Sequence, residues 1–115
     1  MGVAHNKCYF EWFEIGRTAY CQKKGFPYRN IEERGFYLVV VEAFCRYRKP
    51  LKYDDDFIIS TSLQELTSKK VRFSYELLTT AKREPIASGY TVHIATDGNA
   101  KVSLLPSDIL EKLKD

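Results

Sequence analysis

A chain of 115 residues, 44% hydrophobic and 14% aromatic, has enough apolar material for one packed core, which predicts a single domain over residues 1–115. Its net charge of +3 falls short of the dense Lys/Arg stripe of a nucleic-acid binder, and no apolar run approaches the roughly 20 residues that a membrane span requires. Three cysteines, Cys8, Cys21 and Cys45, make neither an even disulfide framework nor paired zinc ligands, and no basic segment leads into an apolar signal core, so a soluble, cytoplasmic protein with reduced thiols is the expectation.

From Asn6 to about Lys24, Tyr9, Phe13, Gly16 and Tyr20 recur at helical spacing, and Phe10, Trp12 and Ala19 widen the apolar stripe. Gly25 supplies a left-handed stop and Pro27 follows two residues later, while Lys23 and Lys24 oppose the negative end of the dipole. Asn30 with Glu33 has capping-box spacing, which predicts a short helical turn from Ile31 to Arg34 closed by Gly35. The run from Phe36 to Arg48 is β-branched, aromatic and too long for a strand with one buried face, so it is expected as a central or interface-forming strand.

Lys49 to Asp56 is a turn cluster, in which Pro50 removes a ladder donor and the aspartates favour side-chain-to-backbone turns. Phe57 to Leu66 alternates, Thr67 to Lys70 turns, and Val71, Phe73, Tyr75 and Leu77 share a face, which predicts an antiparallel hairpin. A second turn at Ala81 to Glu84 leads into a strand where Ile86, Tyr90, Val92 and Ile94 share a face and Ser88-Gly89 marks a bulge or bend. Asp97-Gly98-Asn99 is a tight turn, Val102 to Leu105 a short last strand, and Pro106-Ser107-Asp108 the start of a helix through Leu113.

One long helix, a meander of strands and a small helix make an α+β order. A helix apolar around most of its circumference, beside only about four strands, predicts that the sheet curls round it or that a second subunit covers the rest. A homodimer is the inference.

The stretch Asn6, Tyr9, Phe10, Trp12, Phe13, Glu14, Gly16 and Arg17, preceded by Gly2 and Val3, resembles the hot-dog-fold acyl-CoA thioesterases of the 4-hydroxybenzoyl-CoA thioesterase type, which include the thioesterase associated with the Tol-Pal system. The likeness continues through residues 25–35 and the long strand to Pro50, Tyr53 and Asp55, where the family writes P-x-x-Y-x-D, and so covers nearly all of the chain. The resemblance implies an antiparallel sheet wrapped around one long central helix, a homodimer often paired into a tetramer, and a substrate thioester at the dimer interface. It also implies a catalytic aspartate three positions before Gly2, carried on a first strand. The expectation is therefore that Met1 is an internal methionine and that residues 1–115 alone hydrolyse acyl-CoA weakly or not at all.

Thioester hydrolysis needs a carboxylate to attack or to activate water, and donors for the oxyanion. The unpaired amides at the start of the long helix, near Asn6 and Lys7, are the candidate donors, with a plain N-cap as the other role of Asn6. His5 stands just ahead of that helix, as a pocket residue or an ordinary loop residue; with His93 the only other histidine, no metal site is expected. Glu11 and Glu14 are the candidate carboxylates, because another hot-dog branch uses a helical glutamate; the alternative is a surface role or, for Glu14, a pairing with Arg17. By the same resemblance Ser68, Lys69 and Lys70 hold the phosphates and pantetheine arm of coenzyme A, with Lys82 and Arg83 as a weaker version of the idea. Cys8 gains dipole activation but has no histidine partner, which argues against a nucleophile. The expected activity is hydrolysis of a short aliphatic or aromatic acyl-CoA, the coenzyme A thioester being the substrate and no cofactor being needed. The alternatives are a non-catalytic acyl-CoA-binding protein and a hydroxyacyl-thioester dehydratase.

Overall fold

The side of the first helix that carries Phe13, Gly16 and Tyr20 lies against a sheet, and that contact organises the molecule. The computed structural model describes residues 6–48 and 56–114, with side chains from Phe10 onward. Gly2, Val3 and His5, and the turn cluster from Lys49 with Pro50, Tyr53 and Asp55, lie outside the described residues. Three helices, α1 (Asn6–Lys23), α2 (Tyr28–Glu33) and α3 (Ser107–Leu113), accompany four strands, β1 (Tyr37–Tyr47), β2 (Phe57–Leu66), β3 (Lys70–Thr79) and β4 (Pro85–Thr96). All neighbouring strands are antiparallel, in the order β1-β4-β3-β2. Among the described residues no helix is long and apolar enough to cross a membrane.

The end of α1 follows from Gly25, which adopts a φ of +80° that L side chains disfavour. Its amide donates to the Gln22 carbonyl and the Phe26 amide to that of Cys21, the reciprocal pair of a Schellman stop. Pro27 then opens α2, so this helix starts earlier than the capping box predicts: Asn30 lies inside it, with its amide donating to the Pro27 carbonyl. A proline ring with φ near −65° and no amide to satisfy suits the start of a helix without a side-chain cap.

β1 is not central. It pairs with β4 alone and stands at one edge, with Val41 58% and Phe44 45% exposed. Val71, Phe73, Tyr75 and Leu77 of β3 all point into the core, as their alternation predicts. On β4 it is Ala87, Gly89, Thr91 and His93 that pair with Leu77, Tyr75, Phe73 and Val71 in turn and share their face, while Ile86 and Val92 of the other set are buried as well. Tyr90 lies on the far face, stacked on Phe44, under the Arg72 guanidinium and donating to Glu42. Ser88 and Gly89 keep their register in both ladders; the irregularities fall at Val40/Glu42, Leu63/Glu65 and Leu77/Leu78. Only Val102 of the last predicted strand pairs, in a single bridge to Thr96.

Two glycines set how closely α1 approaches. Gly89 has the Phe13 ring and the Phe44 carbonyl where a Cβ would stand, and Gly16 has the side chains of Thr61 and Ile59. At Gly16 both obstacles are γ atoms of β-branched side chains, stiff at χ1, so a methyl has to push α1 away from β2, against which alanine adds only about 1 kcal/mol of helix propensity. Gly16→Ala is therefore expected to destabilise by about 1–3 kcal/mol in urea denaturation. No measurable loss would mean that α1 and β2 are loosely seated there.

Candidate active site

The first turn of α1 contains no acidic side chain, so nothing of its own offsets the partial positive charge of its unpaired amides. Asn6 and Lys7 begin the helix, so their backbone amides are among those at its N-terminal end. Their side chains, and that of Cys8, are not described. The first described side chains at this end are Phe10, 38% exposed, and Glu11, also exposed. Glu14 is exposed too, and the Arg17 charge bears on the Tyr28 and Tyr75 phenols.

The Ser68-Lys69-Lys70 turn is rigid for identifiable reasons. The Thr67 hydroxyl accepts from the Lys69 and Lys70 amides at 3.3 and 2.9 Å. The Ser68 carbonyl accepts from the Leu105 amide and the Lys69 carbonyl from the Ala95 amide, which pins the turn to the end of β4 and the segment after it. Lys70 Nζ lies 3.5 Å from the Glu65 carboxylate, while Lys69 is exposed. One ammonium is thus shared with a carboxylate and the other is free for an anion among the described residues. Lys82 and Arg83 are exposed on the β3–β4 turn, where Arg83 takes a φ of +55°.

These two parts of the predicted site do not meet within one chain. Phe13 stacks on Tyr75 at 4.4 Å and Tyr20 meets Phe73 edge-on at 5.6 Å, so α1 runs from the later half of β3 toward its beginning. The helix starts two turns, about 10 Å, before Phe13, whereas Ser68 to Lys70 lie beyond Phe73 at the other end. The separation is on the order of 20 Å, from the rise of the two elements.

Two features went unread in the sequence. The first is a groove of about 850 Å³ between α1 and β2, walled by Trp12, Ile15, Ala19, Phe57 and Ile59, with Lys23 at its rim. Ile15, 57% exposed, and Ala19 sit off the main helical stripe, which is the signal that marks a second apolar wall. The second is a buried polar ring under α1. His93, wholly buried, places Nε2 2.9 Å from the Thr91 hydroxyl and Nδ1 3.3 Å from the Leu38 carbonyl. The Thr91 hydroxyl is 2.6 Å from that of Tyr75, and the Tyr28 hydroxyl donates to the same Leu38 carbonyl at 3.2 Å. Burial and the nearby Arg17 charge push the His93 imidazole down to about 4. Burial raises the Tyr75 phenol and carries the Cys21 thiol up to about 11, which leaves that cysteine an inert core residue. Among the described residues no three His, Cys, Asp or Glu side chains converge as a metal site would need.

Residues 1–113 match the thioesterase-like superfamily. The chain belongs to the thioesterase-like superfamily. Its fold is that of a hypothetical protein from Aquifex aeolicus, with a TM-score of 0.90 and 35% identity over 98% of this chain and 87% of that one. A DHNA-CoA thioesterase from Staphylococcus aureus superposes with a TM-score of 0.84 at 27% identity, covering 90% of this chain and 70% of the other. The same architecture recurs at 22% identity and a TM-score of 0.79 in a Thermus thermophilus thioesterase crystallised with coenzyme A and zinc, over 98% of this chain and 80% of that one. The antiparallel four-stranded sheet with its helices is thus the α+β, hot-dog architecture of thioesterase-like proteins.

Proposed function

We propose that the chain is an acyl-CoA thioesterase of the 4-hydroxybenzoyl-CoA type, a single cytoplasmic domain that acts on short aliphatic or aromatic acyl-CoA as a homodimer, with a dimer of dimers as the larger assembly. The observation that carries this reading is the acid-free first turn of α1 in a chain of the thioesterase-like superfamily. The thioester carbonyl lies over the Asn6 and Lys7 amides, and its oxygen gains negative charge as water, relieved of a proton by a carboxylate, adds to the carbonyl carbon. Collapse of that intermediate breaks the C–S bond, and the coenzyme A thiolate takes up the proton as the free acid leaves. Glu11 and Glu14 are the carboxylates available on α1, and His5, which precedes α1 in the chain, is the candidate pocket histidine. The coenzyme A thioester is the substrate, and the chemistry calls for no metal or other cofactor.

The roughly 20 Å between the helix start and the Ser68–Lys70 turn supports a site shared between two copies, one supplying the amides and the other the turn that holds the phosphates. The exposed apolar side chains of edge strand β1, Val39, Val41 and Phe44 among them, support the homodimer, since such an edge invites pairing. In that dimer each sheet curls around its α1. The free thiols of Cys21 and Cys45 fit a reducing compartment.

Release of coenzyme A thiol from a panel of acyl-CoA substrates tests the reading. Lys69→Ala combined with Lys70→Ala is expected to raise KM by about tenfold with kcat changed less than twofold, because two charge-assisted phosphate contacts act on binding rather than on the reacting carbonyl. Strong turnover that survives Glu11→Gln combined with Glu14→Gln would remove both helical carboxylates from the mechanism. The exposure of both glutamates favours one second reading, an acyl-CoA-binding protein without turnover. Tight binding of a non-hydrolysable acyl-CoA, with no thiol release from any substrate, is its signature. The dehydratase alternative would have to rest on His5, since His93 is wholly buried, and a hydration assay separates it from the hydrolase.

A further inference from the structure

The Ser68–Lys70 turn has two kinds of backbone partner. Its Lys69 and Lys70 amides donate to the Thr67 hydroxyl, within the hairpin itself. Its Ser68 and Lys69 carbonyls accept from outside the hairpin, from the Leu105 amide at 2.7 Å and the Ala95 amide at 2.9 Å. Ala95 belongs to β4, whereas Leu105 belongs to the segment that follows it. A single Thr96–Val102 bridge and a bond from the Ser103 amide to the Ala95 carbonyl fold that segment back over the end of β4.

What holds the segment lies further along it. Leu105, Ile109 and Leu113 recur every four residues and are 3%, 0% and 1% exposed, so one side of α3 and of the chain before it belongs to the core. Arg34, just past α2, donates both of its terminal nitrogens to the Asp108 carboxylate, at 2.5 and 3.3 Å. Asp108 sits in the first turn of α3, where a negative charge also suits the helix dipole. At the other end of α3 the Tyr20 hydroxyl of α1 donates to the Leu113 carbonyl at 3.1 Å. An exposed ion pair contributes little by itself, so the three buried aliphatic side chains supply most of the anchorage. Within residues 102–113, Leu105 is the one whose side chain is fixed in the core and whose amide reaches the turn.

We propose that residues 102–113 brace the Ser68–Lys70 turn, and that Leu105 is the positioning residue which sets it for the phosphates of coenzyme A. The proposal rests on the reading of that turn as the phosphate site. A carbonyl oxygen carries partial negative charge and repels a phosphate. Holding the Ser68 carbonyl on the Leu105 amide keeps it from competing for the exposed Lys69 ammonium. A tip held in this way is also ordered before the ligand arrives, whereas a free hairpin tip has to be ordered on binding, which lowers affinity. Leu105 acts through the turn and not on the thioester, so its loss falls on binding and leaves the rate of the bound complex nearly unchanged.

The test compares Leu105→Ala with Ile86→Ala, which empties a similar space in the core near the opposite end of β4. Coenzyme A itself is titrated into each full chain by calorimetry, thiol release gives kcat and KM, and amide hydrogen exchange follows Leu105 and Ala95, whose protection reads the two bonds to the turn. Leu105→Ala is expected to raise KM and the Kd for coenzyme A about fivefold with kcat changed less than about twofold. It should also speed exchange at Ala95 and at residues 67–70 while residues 71–77 of β3 keep their protection. Ile86→Ala should leave KM, Kd and the turn as they are in the parent. Equal Kd values in the two variants overturn the proposal when Lys69→Ala with Lys70→Ala does weaken coenzyme A binding. If that double variant binds coenzyme A like the parent, the phosphate reading falls instead, and exchange decides the brace: unchanged protection at Ala95 and the turn in Leu105→Ala overturns it. Should Leu105→Ala fail to fold, exchange in the parent decides. Opening of residues 102–113 together with 67–70 while β3 stays closed supports the brace, and a turn that stays protected when 102–113 open overturns it.

Discussion

Gly89→Ala is expected to destabilise the protein by about 3 kcal/mol or more and to lower its melting temperature by roughly 10–20 °C. A Cβ at this position would meet the Phe44 carbonyl of β1 and, at 2.7 and 2.9 Å, the ring of Phe13. The carbonyl cannot yield, because Gly89 sits in register between Cys45 on one side and Tyr75 on the other, inside both ladders. The ring cannot yield easily either, since it is fully buried and stacked on Tyr75. Rotation of a side chain therefore offers no escape, and the strand or the helix has to move. Thermal and urea denaturation measure the effect; a melting temperature within about 3 °C of the parent, on the same roughly 1 kcal/mol scale, would mean that Phe13 does not rest on β4.

Phe13→Ala should cost about 4 kcal/mol, a large share of the roughly 5–15 kcal/mol that holds a typical domain together. The ring is wholly buried, parallel to Tyr75 at 4.4 Å and edge-on to Phe10 at 5.9 Å. Its removal leaves a cavity that the helix cannot easily close, because β3 and β4 beneath it are fixed by their ladder. Phe13→Leu should cost about 1–1.5 kcal/mol, the difference being the volume left empty. Combining Phe13→Leu with Gly89→Ala should cost clearly less than the two changes added, because the smaller side chain vacates the space that the new methyl enters. Additivity within about 0.5 kcal/mol would separate the two positions.

Much of the molecule is legible along the chain because its signals are local. Gly25 and Pro27 mark the end of α1, since only glycine takes the left-handed turn without cost and proline cannot continue a helix. Thr67 to Lys70 is a turn because a threonine hydroxyl can accept from the amides two and three residues on. The inward face of β3 is readable because every second residue there is large and apolar. The helix start, as a source of unpaired amides, needs nothing beyond the identity of the helix.

The inward face of β4 is not readable in that way. Ile86, Tyr90, Val92 and Ile94 are the larger apolar side chains, yet the opposite set faces α1. Phe13 and the row from β3 already fill the space, so what remains beside them suits Gly89, Ala87 and Thr91. Only a partner distant in sequence decides which alternation faces the helix. His93 and Thr91 acquire their meaning in the same step, because their hydrogen-bond partners come from Leu38 and Tyr75 on other strands. The edge position of β1 is likewise a matter of strand order, to which its apolar sequence is indifferent.

The amino-acid sequence by itself thus determined the elements, their turns and the thioesterase-like likeness, all carried by side chains and backbone preferences a few residues apart. Tertiary structure alone decided which set of β4 side chains faces the first helix, and that the helix start and the Ser68–Lys70 turn stand at opposite ends of one chain. The physical reason is that burial and hydrogen-bond satisfaction are settled by whatever packs opposite, and those neighbours are brought together only by the fold.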